Sequence, residues 1–223
     1  MFTYYNNVRE VLEMNVYTTE KIRNVVLLGH SGCGKTSLVE AMAYLAGQTT
    51  RMGTVADGST ISDFDKEEIK RQFSIHTSVV PIEWDNVKIN ILDTPGFFDF
   101  VGEVEEAVSA ADAAIIVVSG KAGIQTGTKR AWEICEKYKL PRMIFVTDMD
   151  IDNASFKDVV LKLQELYGKK MLHSICQSER MRSLWAMSMS SSRGQRDGMK
   201  AEAWISLMCL STQRRTWEYV VRL

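Results

Sequence analysis

Apolar and polar positions along the first 170 residues alternate between two textures. Short unbroken apolar runs at 24–29, Ala113–Ser119 and 142–146 have the length of strands and no polar face, so they predict buried parallel strands. Between and around them, 35–46, 100–110, 126–138 and 153–167 repeat apolar residues at helical spacing and predict helices, the last with Asn153 as its N-cap. Two β-rich runs, 77–84 and 87–92, flank Asp85-Asn86 and predict an antiparallel hairpin. Strands alternating with helices predict an α/β fold, a mainly parallel sheet with helices on both faces. The stretch 48–73 is polar, rich in Asp, Thr and Gly and without steady periodicity, so it is expected to be a mobile functional loop.

Composition narrows the setting more than the function. The 223 residues are 45% hydrophobic and 25% charged, as in an ordinary globular chain long enough for one well-buried domain. Lys and Arg (27) nearly cancel Asp and Glu (28), so no global field draws the chain to nucleic acid or an anionic membrane. Cys33, Cys135, Cys176 and Cys209 show no close pairing, and the N-terminus lacks a targeting pattern, which leads us to expect a reducing, cytoplasmic setting. No run approaches the ~18 apolar residues of a membrane helix. His30 and His76 lack Cys, His or carboxylate neighbours at ligand spacing, so no zinc site is expected.

The chemistry concentrates in a few short motifs. Gly29-His30-Ser31-Gly32-Cys33-Gly34-Lys35-Thr36 matches the G-x-x-x-x-G-K-[ST] phosphate loop at each fixed position and lies between a predicted strand and a predicted helix. There, backbone N–H groups can curl around phosphate oxygens, the helix presents its positive end, Lys35 can reach the β and γ phosphates, and Thr36 can ligate Mg²⁺. Ser37 completes the nucleotide-binding stretch, and Cys33 reads as a small residue that fills the loop. Asp93-Thr94-Pro95-Gly96 ends the second hairpin strand with the Asp-x-x-Gly form that senses a γ-phosphate, Asp93 holding Mg²⁺ through water and the Gly96 N–H meeting the phosphate. Ser74 closes the long polar loop, and its hydroxyl is a further Mg²⁺ candidate if a γ-phosphate orders that loop.

Four segments, 25–46, 57–65, 67–78 and 89–106, together resemble elongation factor G and its G-like paralogues. The signature is DTPG-x-x-DF-x-x-E-V following a GHxxxGKT loop, and the resemblance spans about 155 residues in fixed order. It implies a P-loop GTPase that binds GTP or GDP with Mg²⁺ and belongs to a large multidomain protein acting on the ribosome, as a monomer without membrane contact or sequence-specific nucleic-acid reading. In this frame, residues 14–170 are a partial GTP-binding domain that stops before the family's last strand, helix and Ser-Ala guanine loop. Residues 1–13 are an N-terminal extension.

The departures from the family carry equal weight. Where the family has the His that positions attacking water, this chain has Phe97, which offers neither donor nor acceptor, so Lys35 and Gly96 remain as catalytic groups and intrinsic hydrolysis should be slow. A packing role for Phe97, with another group or the ribosome completing the site, stays open. The family's guanine-reading Asn-Lys-x-Asp aligns with Thr147-Asp148-Met149-Asp150; Asp150 can accept from the guanine N1 and N2 donors, but Asp148 supplies neither stem nor charge of the lysine. Ser74 keeps the hydroxyl of the family's Thr, and Gln72 stands where a glycine is usual.

Past Lys170 the texture changes. Codons allowed for residues 173–190, read two nucleotides later, can spell text like the family's continuation, and the single-codon residues Met181, Trp185, Met187 and Met189 all comply. Residues 171–223 are therefore expected to be out of frame, leaving one sheet edge uncovered. Two other outcomes stay open beside a working GTPase: a nonhydrolysing GTP-binding switch module and an inactive gene remnant.

Overall fold

In the computed structural model, residues 15–149 and 154–168 are described in full and 172–177 and 184–189 as backbone strands. Five strands make the main sheet: β1 (Ile22–Gly29), β2 (Ser78–Trp84), β3 (Val87–Asp93), β4 (Ala113–Ser119) and β5 (Arg142–Thr147), in spatial order β2-β3-β1-β4-β5. Of these, β2 runs antiparallel, paired to β3 through the hairpin; the others are parallel. Asp85 and Asn86 both take left-handed backbone, φ 45° and 61°, the turn whose twist suits a two-residue hairpin.

The apolar runs are buried on both faces, which is why they show no alternation. Val25 and Leu27 of β1 point, with Ile91, Ile115 and Val117, toward α1 (Lys35–Leu45) and its Leu38, Val39 and Met42. Their neighbours Val26 and Leu28 point the other way, with Ile116, Val118 and Ile144. There they meet α3 (Val101–Ala110), α4 (Thr126–Lys137) and α5 (Phe156–Tyr167). Cys33 and Cys135 are free thiols within these cores. Among the described residues no helix is long and apolar enough to cross a membrane.

Three expectations need correction. The polar stretch 48–73 contains a helix, α2 (Lys66–Arg71), set by a capping box in which Asp65 accepts from the Glu67 N–H and Glu68 reaches back to the Asp65 N–H. At six residues it is too short to show periodicity. The N-cap of α5 is Ser155, whose hydroxyl accepts from the Asp158 N–H at 3.3 Å; Asn153 lies outside the described residues. Past α5, β6 (Leu172–Gln177) and β7 (Leu184–Met189) pair antiparallel, and β7 runs beside β5 at the edge expected to be bare. The two sheets stay separate, β5 remaining the last hydrogen-bonded strand of the main sheet.

Candidate functional site

Because β1 lies between β3 and β4, the chain turns to opposite sides of the sheet after these strands, and a crevice opens at their carboxyl ends. The register places Leu27 beside Asp93, Gly29 beside Val117, and Ser119 beside Thr147, so the loops after β1, β3, β4 and β5 converge there. Gly29 leaves β1 at φ 153°, and a Cβ there would lie 2.5 Å from the Val117 carbonyl oxygen; only glycine lets the loop turn so close to β4. At the far end of the loop Gly34 caps α1 in left-handed backbone and has no side chain to satisfy its first amides, and a helix start of this kind is suited to a ligand's oxygens.

Lys35 is buried, and its Nζ donates to the carbonyls of Gly29 (3.3 Å) and His30 (3.1 Å), holding the ammonium over the loop. Thr36 donates from Oγ1 to Asp93 Oδ2 at 2.9 Å, and Ser74 Oγ lies 3.2 Å from the same Thr36 oxygen. Three metal candidates from distant parts of the chain thus share one point. Asp93 Oδ1 is buried with no hydrogen-bond partner among the described residues. Burial pushes the Asp93 carboxyl up to about 6, against the opposing pull of Lys35 and the Thr36 hydroxyl. Two hydroxyls and an unsatisfied carboxylate oxygen are a hard-oxygen set suited to Mg²⁺.

Gly96 follows β3 so closely over the loop that a Cβ on it would come within 2.6 Å of the Ser31 nitrogen and 2.7 Å of Lys35 Nζ. Thr94 anchors this turn by donating to the Leu27 carbonyl at 2.5 Å, and Pro95 follows it. A cleft of about 360 Å³ remains between the phosphate loop, Ser74 and Gly96. Its lining adds residues that the sequence alone did not single out: Asp63, which is buried and whose carboxyl is pushed up by that burial beside Ser74, and Phe73. Phe97 lines the same cleft, and its ring meets that of Phe73 edge-on at 4.7 Å. The signals for Asp63 and Phe73 are weak in sequence, since each depends on how 48–73 folds.

The other end of the crevice differs. Thr147 donates to the Cys33 carbonyl at 2.8 Å and so braces the phosphate loop. Asp148, left-handed at φ 56°, accepts from the Ser119 hydroxyl at 2.5 Å, and Met149 packs against the core beneath α3, α4 and α5. Asp150, the expected guanine acceptor, lies outside the described residues. Burial pushes the Cys33 thiol up, which fits its packing role.

Set against known families, residues 20–214 match the model of the elongation factor Tu GTP binding domain. The chain belongs to this family. It is therefore a guanine-nucleotide-binding domain, and the mostly parallel five-stranded sheet with its helices fits the fold of that domain. An elongation factor G-like protein of Mycobacterium tuberculosis (strain ATCC 25618 / H37Rv) is 39% identical over 151 residues, 68% of this chain and 21% of the relative. The mitochondrial ribosome-releasing factor 2 of Drosophila ananassae is 39% identical over 158 residues, 71% of this chain and 21% of its own length. A solved structure from Thermus thermophilus superposes with TM-score 0.67 at 37% identity, covering 74% of this chain and 24% of that one. The chain thus spans about a fifth of the length of these curated relatives.

Proposed function

We propose that residues 14–170 form the nucleotide-binding portion of a translational GTPase of elongation factor G type, which takes GTP and GDP with Mg²⁺ and works on the ribosome as part of a longer, monomeric, cytoplasmic protein. The observation that carries this reading is the meeting of Thr36, Ser74 and Asp93 at one point beside Lys35. Thr36 and Asp93 would hold Mg²⁺ directly and through water, with Ser74 joining when a triphosphate is present. Bound Mg²⁺ would supply charge neutralisation at the phosphates. The chain's own groups do the rest: the 30–36 amides and Lys35 grip phosphate oxygens, and Gly96 brings its N–H to the γ-phosphate. The relatives' names, an elongation factor G-like protein and a ribosome-releasing factor, support the ribosome as partner. Calorimetry should show Mg²⁺-dependent heat with GTP or GDP; none with either nucleotide, on soluble protein, overturns the proposal.

A second reading, a nonhydrolysing GTP switch, is favoured by one specific feature. Phe97 stands where the resemblance puts the water-positioning His and is braced edge-on by Phe73 in the same cleft, and neither ring offers a hydrogen bond to water. Single-turnover hydrolysis with and without ribosomes separates the two, since a ribosome-stimulated rate eliminates the nonhydrolysing switch. Phe97→His should raise the basal rate in either case.

A further inference from the structure

The cleft between the phosphate loop and the Asp93 turn has one wall without polar chemistry. Phe73 and Phe97 meet there edge-on, and neither ring can accept a proton from water or orient it. Attack of water on a γ-phosphate nonetheless calls for an acceptor that takes one of its protons in a hydrogen bond and turns a lone pair toward phosphorus. Most polar side chains lining the cleft are engaged elsewhere. Lys35 is propped on the Gly29 and His30 carbonyls, Thr36 and Ser74 face one another beside Asp93, and Gln72 reaches to the Ala56 carbonyl. Asp63 lies beside Ser74. That leaves the hydroxyls of Ser31 and Ser37.

Position separates these two. Ser37 belongs to α1, one residue beyond Thr36, and is exposed. Ser31 is half-buried in the loop itself, and its backbone abuts the Asp93 turn: a Cβ on Gly96 would lie 2.6 Å from both the Ser31 nitrogen and its Cα. Its hydroxyl makes no hydrogen bond to any described residue. On the reading above the Gly96 N–H meets the γ-phosphate, so Ser31 stands at the same end of the cleft as the reacting phosphorus. Phe97, next in the chain after Gly96, lines that end too. A hydroxyl beside two aromatic rings is the one neutral side chain there able both to accept from water and to donate to a phosphate oxygen.

We propose that the Ser31 hydroxyl positions the attacking water in this chain, the work that Phe97 is chemically unable to do. The proposal rests on the nucleotide-binding reading above and deepens it, because it makes hydrolysis a property of the phosphate loop rather than of residue 97. Ser31 accepts a hydrogen bond from the water and donates its own to a γ-phosphate oxygen. The bond from the water oxygen to phosphorus forms as the bridging bond between the γ-phosphorus and the β-phosphate oxygen breaks, and the electron pair of that bond leaves with GDP. The proton lost by the water ends on the released phosphate, and Ser31 is unchanged. The Ser31 N–H grips phosphate whatever the side chain, so binding and water placement separate in a variant.

The test uses the full chain with Mg²⁺, GTP and GDP affinities by calorimetry, and single-turnover GTP hydrolysis with and without ribosomes. Ser31→Ala should slow hydrolysis about a hundredfold, the low end for a positioned proton-transfer group, and leave both affinities within about twofold. Ser31→Thr keeps the hydroxyl and should stay within about fivefold of the unaltered rate. In a Phe97→His background, where an imidazole can hold the water, Ser31→Ala should cost less than about threefold. An unchanged rate in Ser31→Ala overturns the role. So do losses of rate and affinity together, which mark a packing residue, and effects of the two substitutions that simply multiply. Nucleotide binding by the unaltered chain without hydrolysis, even on ribosomes, also overturns it. Absence of Mg²⁺-dependent nucleotide binding would instead strike the nucleotide-binding reading itself.

Discussion

The two ends of the crevice are built on the same sheet, yet they treat their polar groups in opposite ways. At the phosphate end, Lys35 is propped on two carbonyls, Thr36 and Ser74 converge on Asp93, and Asp93 Oδ1 is left buried without a partner among the described residues. On the proposed function, polar groups there are held ready for a ligand. At the base end, Thr147 is spent on the Cys33 carbonyl, Asp148 on the Ser119 hydroxyl, and Met149 on the core. Phosphate chemistry constrains several atoms within one small volume, whereas base recognition rests on few contacts. The phosphate end should therefore dominate affinity, and perturbing it should cost far more.

The largest effect should come from Lys35→Ala. A charged hydrogen bond to phosphate contributes about 1.5–3 kcal/mol, so GTP affinity should fall roughly 10- to 150-fold in calorimetry. A change under twofold would remove the contrast between the ends. Acidification should come next. With Asp93 near 6, about a tenth of the carboxyl is ionised at pH 5 against about nine-tenths at pH 7, and a metal needs the ionised form. Mg²⁺-dependent GTP affinity should thus drop about tenfold between pH 7 and pH 5, and Asp93→Asn should abolish that slope. Metal-free stability should run the other way. A carboxyl whose pKa is raised on folding favours the folded state fully below its unfolded value, and that contribution is lost as pH rises through about 6. A metal-free melting temperature indifferent to pH between 4 and 7 in the Asp93 contribution, judged against Asp93→Asn, would contradict the burial that causes the shift.

Thr147→Val sharpens the comparison from the other side. It removes the donor to the Cys33 carbonyl at nearly constant shape, a loss of about 1 kcal/mol, or roughly fivefold in GTP affinity if the bond steadies the phosphate loop. A loss as large as that of Lys35→Ala would mean that the base end is not secondary after all.

How much of this was legible in the sequence follows the same division. The strands after which the motifs sit were readable because burial on both faces makes them uniformly apolar, and β4 has the limits its apolar run predicts. The phosphate loop and Asp93 turn were readable because their backbone demands fix glycine positions. The loop between them was not. The capping box Asp65 to Glu68 is a local signal, but six residues give no periodic face, and Glu40 and Glu68 look in sequence like solvent-facing charges. Only the folded path of 53–76 shows that they are buried and answer backbone amides. The edge-on contact of Phe73 with Phe97 joins positions with no local relation, and nothing short of the fold reveals it.

The smallest prediction concerns Gln72, the one place where local strain in that loop can be relieved. Its φ of 58° costs a residue with a Cβ about 1–2 kcal/mol, and its side-chain bond to the Ala56 carbonyl is long, 3.4 Å, and exposed. Gln72→Gly removes the strain but adds about 0.4–1 kcal/mol of unfolded-chain freedom, leaving a net gain of about 0.5 kcal/mol and a melting temperature higher by roughly 1–2 °C. Because the backbone geometry already suits glycine, the GTP to GDP affinity ratio should stay within about twofold. A lower melting temperature would show that the exposed Gln72 side chain, through its bond to the Ala56 carbonyl, secures the turn after α2.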